Sequence, residues 1–216
     1  MSFSIVDREM MSRALVLAAK GRYTSSPNPT IGCVISIGDQ IVGEGSTRPS
    51  GGNHAEIEAL NQVSDAANSC VYVTLEPCSH QGKTGPCALA LIEARVARVV
   101  IACEDPNPVV AGSGIKLLQE AGIEVECGLL EDQAREVNKG FFKRHEHGLP
   151  WVLVKMAASM DGRTAMASGQ SQWVTTPASR QDVQRLRAAS CAIITGIGTQ
   201  LMDDPSLTVR ITREEL

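Results

Sequence analysis

Aromatic side chains are scarce in this sequence: three Phe, two Tyr and two Trp among 216 residues. A protein that grips nucleic acid on stacking platforms needs more of them, together with a basic groove. Basic charge is not in excess either, since the formal net charge is −4. No apolar run approaches the roughly 18 residues of a membrane span, and the N-terminus, MSFSIVDREMM, has no basic segment leading into an apolar one. The expectation is a cytoplasmic protein with no nucleic-acid and no membrane partner. A small anionic ligand stays compatible with the charge, because a local cluster can oppose it. Internal repeats and low-complexity segments are lacking. The seven cysteines are odd in number, and several lie in apolar runs such as Ile31-Gly-Cys-Val-Ile, which suits reduced buried thiols better than a disulfide framework. If any of them does chemistry, a metal is the natural reason.

Hydrophobic residues at 43% and charged residues at 20% are enough for a core and argue against disorder. The length is more than one average domain and hardly enough for two. Met10, Met11, Ala14, Leu15 and Ala18 recur at helical spacing, predicting a helix over 7–20 with Gly21 as its left-handed cap. β-rich runs at 30–37 and 40–45 flank Gly38-Asp39 and read as a hairpin. Helices at 54–63, 86–95, 114–121 and 131–143 then alternate with strands at 71–75, 96–102 and 123–126. Such alternation predicts an α/β fold, a three-layer α/β/α domain beginning with an antiparallel hairpin. The polar stretch Arg144-His-Glu-His-Gly-Leu-Pro150 marks a boundary, giving one domain over 1–146 and a second unit over 151–216. In the second unit we expect a strand at 151–157, a helix at 177–188 capped by Thr176, and a strand at 191–195.

Two segments carry chemistry: Asn53-His-Ala-Glu56, opening a helix, and Glu76-Pro-Cys-Ser-His-Gln-Gly-Lys-Thr-Gly-Pro-Cys87, joining a strand to a helix. One imidazole and two thiolates, His54, Cys78 and Cys87, form a three-ligand set that leaves the fourth tetrahedral position of a catalytic zinc open to water. Zinc makes such a water acidic enough to attack an electrophilic carbon near neutral pH. Iron is the alternative occupant of a thiolate/imidazole site. Glu56 follows His54 by about 200° on an ideal helix, so the two converge only if His54 occupies the non-helical first turn. Glu56 is then free to shuttle protons. Pro77 and Pro86 each precede a cysteine and suit a helix start, whose dipole favours thiolate. The bland alternative is a capping histidine and two buried thiols.

The joint pattern is similar to that of the zinc deaminases, His-x-Glu followed by Pro-Cys-x-x-Cys with the glutamate as general acid/base. Here eight residues, not two, separate the cysteines. Ser26-Pro-Asn-Pro-Thr-Ile-Gly-Cys-Val, His54-Ala-Glu, Tyr72-Val-Thr-Leu-Glu-Pro-Cys, Glu104-Asp-Pro-Asn-Pro, Asn138-Lys-Gly-Phe, Lys155-Met-Ala-Ala-Ser-Met-Asp-Gly-Arg-Thr, Ser171-Gln-Trp and Asp203-Asp-Pro-Ser-Leu-Thr-Val-Arg together resemble the bifunctional riboflavin-biosynthesis deaminase/reductase family over essentially the whole chain. The resemblance implies a cytidine-deaminase-like domain that replaces the 2-amino group of 2,5-diamino-6-(5-phosphoribosylamino)pyrimidin-4(3H)-one by oxygen. His54, Cys78 and Cys87 would bind zinc and Glu56 would be catalytic. Around the substrate, a small phosphorylated pyrimidine, Asn28 would present an amide from between two prolines, or be an ordinary turn residue. Lys83 would neutralise the phosphate or be a solvated loop lysine. His80 would touch substrate or brace its loop, and Asp105 and Asn107 would contact ligand or simply form a turn.

The family's second half is similar in fold to dihydrofolate reductase and uses NADPH. Gly196-Ile-Gly198 fails the dinucleotide fingerprint because Leu201 stands where the third glycine belongs, so this cofactor rests on the resemblance alone. The resemblance assigns Ala157, Trp173, Thr199 and Asp203 to the cofactor and Ser171, Arg187, Leu207 and Arg210 to the reductase substrate. Arg187 and Arg210 also have forks suited to phosphate, though Arg187 equally suits a helix-terminal surface charge. A complete reductase would run for roughly another domain length. We therefore expect only the first part of that domain here and no competent reduction. Self-association into a homo-oligomer is also compatible with the family. Two rivals stand beside this reading: the same chemistry on a nucleoside, a nucleotide or an adenosine in RNA, and a structural zinc module that recruits a partner.

Overall fold

The computed structural model describes residues 3–81, 85–212 and 214–216. Two compact units are present, Met1–Trp151 and Val152–Leu216.

In the first unit, α1 (Ile5–Ala19) starts at Ser4, whose hydroxyl accepts the Asp7 N–H at 3.0 Å while the Asp7 carboxylate accepts the Ser4 N–H at 2.8 Å. This reciprocal cap satisfies two backbone donors that a helix start leaves over. Gly21 is not the left-handed cap the sequence suggested: the helix ends on a right-handed Lys20, and a Cβ at Gly21 would instead meet Thr30 Oγ1. Strands β1 (Gly32–Ile37) and β2 (Gln40–Ser46) form the expected hairpin, with Gly38 at φ +58°. After α2 (Ala55–Leu60) come β3 (Cys70–Val73), α3 (Cys87–Glu93), β4 (Arg98–Ile101), α4 (Ser113–Glu120) and β5 (Glu124–Cys127). The sheet runs β2-β1-β3-β4-β5, with β1 antiparallel to both β2 and β3, and β3, β4 and β5 mutually parallel.

Alternation along the central strands sends side chains to two cores. Val71, Val73, Val99 and Ile101 pack with Ala59, Leu91 and Leu118 of α2, α3 and α4 on one face. Tyr72 and Val100 pack with Met11 and Ala14 of α1 and with Phe142 on the other. Burial on both faces is what the short, β-branched runs implied. Because β3 and β4 are parallel, their C-terminal ends open at one edge, where α/β folds build ligand sites.

Two further expectations are corrected. The single helix foreseen over 131–143 is two, α5 (Glu131–Val137) and α6 (Lys139–His147), broken at Asn138. The buried Asn138 amide is drawn to Thr30, accepting its N–H and donating to its carbonyl, both at 2.8 Å. In the second unit, neither 151–157 nor 191–195 is a strand. A strand is defined by ladder partners, and the described residues supply none there; Val154 and Ile194 stay 76% and 93% exposed. What forms instead is α7 (Pro177–Ala188), with the expected Thr176 cap accepting the Ser179 N–H at 3.2 Å, and α8 (Ile197–Asp203). Among the described residues, no helix is long and apolar enough to cross a membrane.

Candidate active site

His54 stands just ahead of α2 in an extended conformation (φ −75°, ψ 162°), so the turn that the His-Ala-Glu spacing requires is present. Gly45 on β2 allows this, since a Cβ there would collide with the Ala55 carbonyl oxygen. The helix start is thereby pressed against the sheet. Cys78 follows the end of β3 and Cys87 begins α3 behind Pro86. Pro77 starts no helix, contrary to expectation; Cys78 lies in irregular chain and accepts the Cys87 N–H at 3.3 Å.

The ligand atoms of His54, Cys78 and Cys87 all lie within 4.8 Å of one another. His54 Nδ1 is 3.2 Å from Cys87 Sγ and 3.6 Å from Cys78 Sγ. Tetrahedral zinc with ordinary bond lengths sets nitrogen and sulfur about 3.5 Å apart, so this donor set fits the metal. The Cys87 thiol and then His54 draw the Cys78 thiol down against the opposing effect of burial, while the Cys78 sulfur and burial push Cys87 up. Glu56 is 1% exposed, and its Oε2 has no hydrogen-bond partner among the described residues. Burial first, and the Cys78 thiolate second, lift its carboxyl to about 7, where a group both takes and returns a proton near neutrality.

A cavity of about 390 Å³ opens over these groups. Asn28, His80, Asp105 and Asn107 all line it beside His54, Glu56 and Cys78. Asp105 is buried, which lifts its carboxyl to about 6 although it accepts the Asn107 N–H at 2.8 Å. Lys83 lies outside the described residues. Sequence reasoning missed Thr47, Ser50, Glu76 and Phe141, which also line the cavity. Glu76 and Phe141 sit inside quoted motifs but carried no assigned role, whereas nothing local marks Thr47 or Ser50 as facing a ligand.

In the second unit, Arg187 donates to the carbonyls of Ser206 and Thr208 at 3.0 Å, and Arg210 donates to Ser206 at 2.8 Å. These two guanidinium groups therefore converge, and burial followed by Arg210 lowers the pKa of Arg187. Leu207 is half-buried nearby in sequence, and Ser171 is exposed. Trp173 lies under the Arg180 guanidinium at 4.4 Å. No hydrogen bond or ring contact joins Ala157, Trp173, Thr199 and Asp203 among the described residues.

Residues 4–103 match the cytidine and deoxycytidylate deaminase zinc-binding region, and residues 150–215 match the RibD C-terminal domain. The chain is 54% identical over 211 residues to riboflavin biosynthesis protein RibD of Haemophilus influenzae, covering 97% of this chain and 57% of that protein. Acinetobacter baumannii RibD, form 1, superposes with a TM-score of 0.92 at 51% identity, over 98% of this chain and 61% of that one. A diaminohydroxyphosphoribosylaminopyrimidine deaminase/5-amino-6-(5-phosphoribosylamino)uracil reductase of Thermotoga maritima gives 0.92 at 37% identity, over 96% and 60%. The chain thus spans little more than half the length of these relatives.

Proposed function

Since the chain belongs to the riboflavin-biosynthesis deaminase/reductase family, RibD, we propose that its first unit hydrolyses the 2-amino group of 2,5-diamino-6-(5-phosphoribosylamino)pyrimidin-4(3H)-one, releasing 5-amino-6-(5-phosphoribosylamino)uracil and ammonia. The observation that carries this reading is the Glu56 carboxylate, buried, with one oxygen unpartnered, lining one cavity with His54 and Cys78, whose ligand atoms converge with that of Cys87. A structural metal site has no use for such a group, because an orphaned buried polar atom costs stability unless a ligand or water completes it.

His54, Cys78 and Cys87 would hold zinc, which when bound supplies a Lewis acid that lowers the pKa of water. Glu56 takes a proton from the attacking water and hands it to the exocyclic nitrogen. A carbon–oxygen bond forms, the carbon–nitrogen bond breaks, and the nitrogen departs as ammonia. Asn28 and Asn107 offer amides to the polar edge of the pyrimidine, and the Asp105 carboxylate, which burial raises to about 6, offers an acceptor beside them. Ile31, Val110 and Phe141 supply an apolar wall that excludes water from the ring.

Ammonia release by the purified, zinc-loaded full chain, with no nicotinamide added, tests the reading. Glu56→Gln should retain zinc and lose about 10²–10⁴ in kcat. A variant that turns over at nearly the parental rate would sink this mechanism, and release from a free nucleoside or nucleotide in place of the diaminopyrimidinone would overturn the substrate.

A further inference from the structure

Glu76 lies three residues past the end of β3, in the irregular chain that leads into Pro77-Cys78, and it is 2% exposed. A carboxylate so deeply buried needs several donors, and the sequence places no cation beside it. All four donors are backbone amides from one distant stretch. Oε1 accepts the N–H groups of Gly114 and Ile115 at 2.8 and 3.2 Å, and Oε2 those of Gly112 and Asp105 at 2.9 and 3.2 Å. Helix α4 has Gly112 as its N-cap, a residue with no side chain to close the first turn, and Glu76 supplies that closure from another part of the chain.

Two further contacts tie the same pair of segments. Ser79 and Ser113 hydroxyls lie 2.6 Å apart, and a Cβ on Gly114 would strike the Pro77 carbonyl oxygen, so the chains touch backbone to backbone. Beyond Asp105 the order is relayed outward: its carboxylate accepts the Asn107 N–H at 2.8 Å, and the Asn107 side chain accepts the Val109 N–H at 3.2 Å. Asp105 and Asn107 face the cavity from this loop, while Cys78 faces it from the other side of Glu76.

From this we infer that Glu76 is a positioning residue, setting the place of Asp105 and Asn107 relative to the metal ligand Cys78. The inference rests on the deaminase reading of the cavity. The donors to its carboxylate are all on the 105–115 segment and none on His54, Cys78 or Cys87, so Glu76 governs how a pyrimidine is held and not whether metal binds.

The test is Glu76→Gln in the zinc-loaded full chain, read by amide hydrogen exchange, zinc content and steady-state kinetics. Glutamine keeps one acceptor oxygen and turns an NH₂ toward the remaining donors. Each lost charge-assisted bond corresponds to roughly tenfold, so exchange at two or more of the Asp105, Gly112, Gly114 and Ile115 amides should accelerate at least about tenfold. Zinc should remain bound in the parental proportion, and KM should rise by roughly tenfold or more with a smaller fall in kcat. Ser79→Ala, which removes one hydroxyl bridge and leaves the carboxylate in place, should move KM the same way by less; it serves if the glutamine variant fails to fold. Unchanged exchange at all four amides, loss of zinc, or a fall in kcat at constant KM would overturn the inference. If the parental chain releases no ammonia while the amides respond as stated, the proposed substrate fails and the loop-holding role of Glu76 stands.

Discussion

Truncating Asn138 to alanine should destabilise the first unit by about 2–4 kcal/mol. Its amide makes two hydrogen bonds to the Thr30 backbone, each 2.8 Å, and Asn138 and Thr30 are 6% and 5% exposed. Alanine leaves the Thr30 N–H and C=O without partners, each costing about 1–3 kcal/mol when buried. The lower part of the summed range is expected, because the neighbouring cavity lined by Asn28 and Pro29 can admit water to one group. No capping bond is lost at α6, since the Asn138 side chain makes none. Alanine also favours helix where asparagine does not, so α5 and α6 should tend to merge across the break. The assay is urea unfolding of the zinc-loaded chain by circular dichroism, with hydrogen exchange at the Thr30 amide. Asn138→Asp is the sharper control: it keeps an acceptor for the Thr30 N–H but turns an oxygen against the Thr30 carbonyl, so it should be no better than alanine. A loss under about 1 kcal/mol, or an aspartate variant as stable as the parent, would refute the two-point clamp.

Gly45→Ala should cost about 1–3 kcal/mol and weaken zinc binding, because α2 must move off β2 and takes His54 with it; melting and metal content together check this. Cys87→Ser should reduce zinc affinity by more than the roughly 10–100-fold that outer-shell changes cost, measured by competition with a chelator. Burial would raise the Asp7 carboxyl, but Arg98 at 2.6 Å, the Ser4 amide and Tyr72 at 2.9 Å outweigh it and hold the group below its usual range. The unfolded chain therefore binds the proton more readily, so the stability Asp7 contributes is full above about pH 4 and is lost as pH falls below that. Asp7→Asn should narrow its stability gap to the parent under acid, and a gap that stays constant from neutrality to about pH 3 would contradict the linkage.

The His-Ala-Glu and Pro-Cys motifs were readable as a metal site because ligand chemistry allows few residue types and His54 had only one workable position relative to α2. The helix break at Asn138 was not readable, since its cause is Thr30, which lies 108 positions away in sequence. The strands expected at 151–157 and 191–195 fail for a related reason. Their composition is β-rich, but a ladder is a property of two segments, and composition describes one.

Composition and short-range pattern alone indicated the three-layer plan of the first unit and the hairpin, and they offered His54, Cys78 and Cys87 as candidate metal donors, while the acid/base role proposed for Glu56 came from likeness to the zinc deaminases. The plan, the hairpin and the donors follow from side-chain periodicity and intrinsic chemistry, which are local. Tertiary structure alone decided that Glu56 is buried with an open oxygen, that Glu76 binds four amides of the 105–115 segment, and that Thr47, Ser50 and Phe141 share a cavity with His54 and Cys78. Burial, cavity shape and backbone satisfaction depend on which distant segments meet, and the parallel pairing of β3 with β4 brings Cys78 and Asp105 to one edge of the sheet.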